Sequence, residues 1–469
     1  MMKELLRKVY AKRQKAGKDG IWLQSLVCET AQFNEGDSLY VSITDEEIVI
    51  QNQSHSEQEH VIHVSGRLNK TSGKRRPLVD SCGERYTSIL SMTDKVEIIV
   101  QRKGEMSAVI IRPLHFSLME TDTIETPKND RIRTLSIGAG CGIGTSALVE
   151  TGYFIPVMEI EVETDSAEVL KHNYPHSLLF NGCMKDVHSV AKADIALVTM
   201  PCDQSSTLGK REGNIMNSLA IAAAKIIKSS QAEVLFFENV PKWYEEKDWL
   251  LLKELIKDDY PYFAEKQIEA WDFGSIATRL RKYVVCFKNQ EMFFDFQFPK
   301  APKVRRRKLK DFLDGKHVTH EWKSLDTWMN NFETRDSSWK DRNLDKTFVT
   351  KDTQVINCIP KRYRGQSASS SYVLSEDKKH WRYLSEAEIK RILDIPAWFS
   401  FCDHTPITRR YEMMGQSVSC QVIKAIGNNI AASFIKNAFK RVKQSIQEVK
   451  QRVENAISID NNGQLELVI

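Results

Sequence analysis

A chain of 469 residues with 41% hydrophobic and 28% charged residues has the composition of a soluble globular protein and length for two or three domains. Its net charge of +5, from 67 basic and 62 acidic residues, excludes a uniformly polycationic protein and leaves any polyanion-binding surface to local clusters. Nine cysteines without Cys-x-x-Cys spacing argue against a zinc ribbon and a disulfide framework, and no apolar run approaches the roughly 18 to 20 residues of a membrane-spanning helix.

The N-terminal stretch Met1-Met-Lys-Glu-Leu-Leu-Arg-Lys-Val-Tyr is charged and lacks the apolar core of a secretory signal. It reads as a short basic helix to about residue 18, ended by Gly17 and Gly20, in a cytoplasmic protein. From Gly20 to Pro113 the pattern is one of short alternating strands, Ser38-Leu-Tyr-Val-Ser-Ile, Glu47-Ile-Val-Ile and Lys95-Val-Glu-Ile-Ile-Val among them. A faint repeat of strand, polar turn and strand begins at Asp37 and again at Asp94. It resembles the hairpins of small swapped-hairpin DNA-binding barrels, with an unrelated small β domain as the alternative. Arg67, Lys70, Lys74, Arg75 and Arg76 form a basic loop between the copies, facing either phosphate or solvent. Residues 1–125 are thus expected to form an N-terminal β-rich domain, for DNA binding or for homodimerisation. Glu120 to Asp130 reads as a linker.

Beyond it the pattern changes. Ile132-Arg-Thr-Leu-Ser-Ile is strand-like and runs into Gly138-Ala-Gly-Cys-Gly-Ile-Gly-Thr, after which a helix opens. Apolar strands follow at 154–160, 194–199, 234–237 and 283–287, with helical patterns between the first four, implying a mostly parallel sheet. A glycine-rich strand-to-helix turn brings backbone N–H groups and a positive helix end close to a ligand, as nucleotide-like cofactors require. Glu161 follows the next strand, where doubly wound folds place a ribose-binding carboxylate; a solvated glutamate is the alternative. Cys202, after Pro201, lies at the carboxyl end of a strand, and is either apolar filler or a nucleophile.

Thirty-six residues after Cys202 comes Glu238, in Phe236-Phe-Glu-Asn-Val-Pro, followed by Thr278-Arg-Leu-Arg-Lys-Tyr and, near the C-terminus, Gly415-Gln-Ser-Val. In this order the motifs resemble those of the cytosine-5 DNA methyltransferases over about residues 131–435. The resemblance implies that Cys202 is the nucleophile, that Glu238 holds the cytosine ring and that Arg279 and Arg281 are the paired arginines, Arg281 the one contacting the base. It implies S-adenosylmethionine as cofactor, held by Gly138, Ala139, Gly140, Gly142, Glu161, Cys183, Pro201, Gln416 and Ser417. Five positions depart from the family pattern. Asp203 stands for Gln, Gly138 for an aromatic, Ala277 for Gln, Cys183 for Asp (with Asp186 a nearby substitute) and Gln416 for Asn. The implied fold is α/β: a Rossmann-like S-adenosylmethionine-dependent methyltransferase sheet with a small target-recognition domain and an N-terminal mainly β domain. The boundaries expected are 131–298 for the catalytic domain, 299–380 for target recognition, 381–435 for the return to the catalytic domain and 436–469 for a helix and tail.

The implied chemistry suits these groups. Carbon 5 of cytosine is a poor nucleophile until a thiolate adds to carbon 6, and a glutamate sharing a proton with N3 stabilises the charge that enters the ring. A base inside a duplex is out of reach, so it must be flipped out. Thr207-Leu-Gly-Lys-Arg-Glu-Gly, with Lys210 and Arg211, is either a lid over flipped DNA or a solvated loop. Pro299 to Lys310 carries seven cations in twelve residues, including Arg305, Arg306 and Arg307, and faces phosphate or solvent. Arg362, Arg364 and Gln366 are candidates to read base edges. Phe439, Val442, Ile446, Val449 and Val453 keep heptad spacing for about two heptads and read as a helix packed across the catalytic domain rather than a dimer seam. The expected partner is double-stranded DNA, in a bacterial or phage restriction-modification setting, with no metal and no membrane. The rival readings are an RNA cytosine-5 methyltransferase and a catalytically silent DNA-binding regulator of the same fold.

Overall fold

The computed structural model describes residues 2–54, 60–91, 93–114, 121–201, 216–303, 305–315, 317–334, 344–459 and 465–467. A thirteen-stranded sheet organises the chain. Seven of its strands run in the spatial order Leu178–Asn181, Phe154–Glu161, Ile132–Ile137, Ile195–Val198, Val234–Asn239, Leu280–Phe287 and Tyr262–Glu269. The first five are parallel, and Leu280–Phe287 is antiparallel to both of its neighbours. Runs such as Ile195-Ala-Leu-Val are apolar throughout because both faces are covered. Leu197 and Phe236 join one core, packed with Leu148 and Ile423, while Val198 and Phe237 join the other, with Trp249 and Leu252.

The first residues form a strand, Lys3–Ala11, not the expected helix. It pairs in parallel with Leu178–Asn181 and antiparallel with Lys95–Lys103, so it lies in mid-sheet between the methyltransferase-like half and the N-terminal half. Leu5, Leu6, Val9 and Tyr10 have helix-like spacing because a strand covered on both faces has no need to alternate. The sheet continues through Met106–Pro113, Ile48–Gln51, Ser38–Ile43 and His60–His63, which sets the two repeated hairpins side by side. A second sheet, with Lys18–Leu23 paired to Arg75–Cys82, shares their core through Ile21 and Val79. Arg75 and Arg76, expected in a basic loop, lie on this strand in ion pairs: Arg75 with Glu35, and Arg76 with Glu29 and with Glu168 of the helix Thr164–Asn173. Within the expected linker, Asp122–Ile124 pairs with Ser189–Ala191.

Beyond the basic segment a small sheet orders Lys323–Ser324, His380–Arg382, Tyr372–Leu374 and Phe348–Val349. Beneath it Arg382 and the fully buried Glu388 form a two-pronged ion pair, at 2.7 and 2.8 Å. The last long helix, Cys420–Ala456, begins buried through Val422, Ile423, Ile426 and Ile430. The expectation that this tail packs across the catalytic domain fails after Lys440, which is held by Asp295 at 2.9 Å; from Phe439 to Val453 every heptad position is more than half exposed. Among the described residues no helix is long and apolar enough to cross a membrane.

Candidate active site

The strands Ile132–Ile137 and Ile195–Val198 are neighbours whose connections leave toward opposite edges of the sheet, so a crevice opens beyond their carboxyl ends. Three expected site elements end there. The glycine turn leaves the first strand with Gly138 at φ +67°, a left-handed conformation. A Cβ on Gly138 would stand 2.4 Å from Thr199 O, and Thr199 Oγ1 donates to Gly138 O at 2.7 Å. The aromatic residue usual in the family therefore has no room here: the turn lies directly against the strand end that leads to Cys202. Gly142 then starts the helix Ile143–Glu150.

Glu161, buried at the end of its strand, accepts from Gly140 N–H and Glu163 N–H, each at 2.8 Å. Burial raises its pKa against those two donors. Each carboxylate oxygen keeps lone-pair capacity for a hydroxyl from outside. Val162, next in sequence, is 62% exposed and offers an apolar surface at the crevice. The backbone of this turn is fixed from below by Asn181, whose Nδ2 donates to Glu161 O at 3.0 Å and Val162 O at 3.2 Å. Asn181 is itself held by Lys8, whose Nζ donates to Asn181 Oδ1 at 2.6 Å and Thr164 Oγ1 at 3.2 Å. Lys8 is 4% exposed, and burial lowers its pKa to about 8. Cys183 precedes the turn Met184–Asp186 and is half-buried. Asp186 faces Lys95 at 3.6 Å.

Pro201 is exposed at the root of the loop, which Asn239 secures by donating to Met200 O at 3.1 Å. Cys202, Asp203 and the loop carrying Lys210 and Arg211 lie outside the described residues. Glu238 ends the neighbouring strand, 8% exposed, with Arg281 Nε 3.2 Å from its Oε1. Burial raises the Glu238 pKa, and Arg281 and then Arg279 oppose it.

Arg279 faces elsewhere than the sequence suggests. Its guanidinium is buried, donating to Gly415 O at 3.2 Å and to Ser417 O, with Cys358 Sγ at 3.5 Å. It clamps the C-terminal segment onto the sheet. A Cβ on Gly415 would stand 2.2 Å from Pro360 O, so this crossing requires glycine. Ser417 Oγ donates to Met414 O at 2.7 Å, Gln416 is exposed, and Val418 packs against Gly144 of the glycine-turn helix. The segment thus returns to the cofactor-side turn.

The proposed DNA contacts divide. Arg305, Arg306 and Arg307 are all exposed; Arg306 also stacks on Trp271 at 3.3 Å and donates to its carbonyl, and Arg307 lies over Phe312 at 3.9 Å. Arg362 is exposed, and Arg364 stands over both Tyr383 and Tyr411, at 5.1 and 5.3 Å. Gln366 is half-buried in a left-handed conformation, φ 55°. Sequence reasoning missed Lys8, Asn181 and the Arg382–Glu388 pair; Lys8 carries no signal without knowing that its strand enters this sheet.

Residues 132–432 match the model of the C-5 cytosine-specific DNA methylase family. The Type II methyltransferase M.Bsp6I of a Bacillus species is 24% identical over 65% of this chain and 100% of its own length. M.HhaI of Haemophilus parahaemolyticus is 26% identical over 64% of this chain and 95% of its own. Among solved structures, the methyltransferase EhMeth of Entamoeba histolytica superposes with a TM-score of 0.52, covering 64% of this chain and 98% of that one at 16% identity. A Spodoptera frugiperda DNMT2 variant gives 0.51, again at 16% identity, over 64% of this chain and 99% of that one. The family match begins at residue 132 and leaves the N-terminal sheet of residues 3–113 outside it.

Proposed function

The chain belongs to the C-5 cytosine-specific DNA methylases and is a DNA cytosine-5-methyltransferase, and from that premise we propose that it methylates a specific sequence in double-stranded DNA through a Cys202 adduct on a flipped base. The observation that carries the mechanism is the buried pair at the sheet edge: Glu238 with its pKa raised, in contact with Arg281, at the end of the strand next to the one that leads into Cys202. Burial, which favours the neutral carboxyl, suits Glu238 to donate to N3 of cytosine as electrons enter the ring. Arg281 supplies positive potential, which favours the thiolate at Cys202 and orients the base. The Cys202 sulfur bonds to carbon 6, the ring electrons shift toward carbon 5 and N3 takes the proton from Glu238. After methyl transfer, a solvent base takes the carbon-5 proton, the thiolate departs from carbon 6 and N3 returns its proton to Glu238, which restores the aromatic ring.

S-adenosylmethionine would supply the electrophilic methyl. The residues present fit it: Glu161 has free lone-pair capacity for ribose hydroxyls, the glycine turn offers backbone approach beside it, and Val162 presents an exposed apolar face. Ser417 and Val418 return to the same helix. Asp203, next to the thiol in sequence, works against its ionisation, and Arg281 supplies the opposing positive potential. Cys202→Ser is expected to abolish methyl transfer and to retain DNA binding. Wild-type chain that neither methylates DNA, read by bisulfite sequencing, nor forms an adduct with 5-fluorocytosine DNA would overturn the proposal.

A further inference from the structure

The C-terminal half of the helix Cys420–Ala456 projects an apolar stripe that nothing among the described residues covers. Ile435, Phe439, Val442, Ile446, Val449 and Val453 are 41, 72, 57, 52, 58 and 51% exposed. They recur at spacings of four and three, a seam of two positions in seven about 27 Å long. So narrow a seam suits one partner helix; a helix lying on a membrane surface needs a broader apolar face. The charges beside it say what kind of helix. Lys436, Lys443 and Lys450 each follow a seam residue and line one edge, exposed, with no ion pair among the described residues, whereas Lys440, off the seam, is held by Asp295. The opposite edge carries Ala438, Ser445 and Arg452, so neither edge is acidic.

A second copy of this chain meets that edge poorly. In parallel pairing the lysine row would face Ala438 and Ser445, which offer no negative charge; in antiparallel pairing it would face another lysine row. We propose that residues 435–453 are the docking seam for a helix of a different protein, with an apolar heptad stripe and acidic residues along the edge that meets Lys436, Lys443 and Lys450. The methyltransferase would thereby hold a second protein at the DNA it modifies, through a surface separate from the crevice.

The test uses the full chain and two labelled 21-residue helical peptides with Ile and Val on the seam, one with Glu and one with Lys at the flanking positions. The acidic peptide is expected to bind one per chain in the micromolar range, and the basic one at least tenfold more weakly. Lys443→Glu with Lys450→Glu should reverse that preference, and Val442→Asp with Ile446→Asp should abolish binding of both, while methyl transfer and the unfolding temperature stay at wild-type levels. The proposal is overturned if the two peptides bind alike or not at all. It is also overturned if the chain self-associates through this seam at low micromolar concentration, by sedimentation velocity, or if vesicles rich in phosphatidylserine bind it and the acidic peptide does not.

Discussion

Replacing Lys8 with methionine separates folding from cofactor binding. The lysine is buried between the two halves of the large sheet, with its ammonium on Asn181 Oδ1 and Thr164 Oγ1. A pKa of about 8 in place of the ordinary 10.5 means that burial shifts the balance from ammonium toward amine by about 3 kcal/mol relative to water. The two hydrogen bonds from this charged donor return about 1.5–3 kcal/mol each, offsetting that cost and exceeding it by at most about 3 kcal/mol, so an apolar side chain of similar length should lower stability at pH 7 by no more than about 3 kcal/mol. The turn at Glu161 is affected differently, because Asn181 loses its anchor and its two bonds to the Glu161 and Val162 carbonyls loosen. We expect Lys8→Met to weaken S-adenosylhomocysteine binding about tenfold, equivalent to about 1.4 kcal/mol, with kcat at saturating cofactor preserved. The pH dependence has a definite sign. The folded pKa lies below the unfolded one, so the unfolded chain binds more protons between pH 8 and 10.5, and wild type gains stability relative to the variant as pH rises across that window. Urea unfolding at pH 7 to 10 beside a calorimetric titration of S-adenosylhomocysteine reads both effects. Parallel stability curves with unchanged cofactor affinity would refute the reasoning.

Glu238→Gln should lower kcat by 10²–10⁴-fold and remove the alkaline decline in rate that follows loss of the wild-type proton; a variant with the same alkaline limb would show that the proton comes from another group. Gly415→Ala forces a methyl group onto Pro360 O and should lower stability by about 1–3 kcal/mol, with weaker cofactor binding because the carbonyl that Arg279 grips is displaced. An unchanged melting temperature would mean that the crossing tolerates a side chain. Arg382→Met strands the buried Glu388 and should cost about 3–5 kcal/mol in denaturant unfolding; Arg382→Met combined with Glu388→Leu should recover most of that loss.

The core of the site was legible because parallel-sheet chemistry sits at strand ends, and strand ends are marked in sequence. Apolar runs that stop at Gly138, Glu161, Pro201 and Glu238 identify the crevice before any coordinate does. Arg279 shows where that reading stops. Two residues from Arg281 and in the same motif, it is drawn instead to the carbonyls of Gly415 and Ser417, more than 130 positions away. The strand Lys3–Ala11 was misread for a similar reason: its partners lie about 90 and 170 positions along the chain, and local spacing could not reveal that both of its faces are covered. The exposed tail seam fails in the opposite direction. Heptad spacing was plain, but spacing alone does not say whether a stripe meets its own chain.

That first strand has a consequence for assembly. Leu178–Asn181 has Phe154–Glu161 on one side and Lys3–Ala11 on the other, and without the latter it becomes a bare, apolar sheet edge of the sort that recruits strands from other molecules. The strand Lys3–Ala11 therefore has to wait for some 170 further residues before its pairing at Leu6, Arg7 and Lys8 can form, while its longer pairing with Lys95–Lys103 comes sooner. The appended sheet is then less a detachable module than a holder that keeps one strand ready until the methyltransferase half arrives to close against it. Cutting between the halves at residues 115–130 would separate two fragments each with an open edge, and co-expressing them should rescue solubility that neither shows alone.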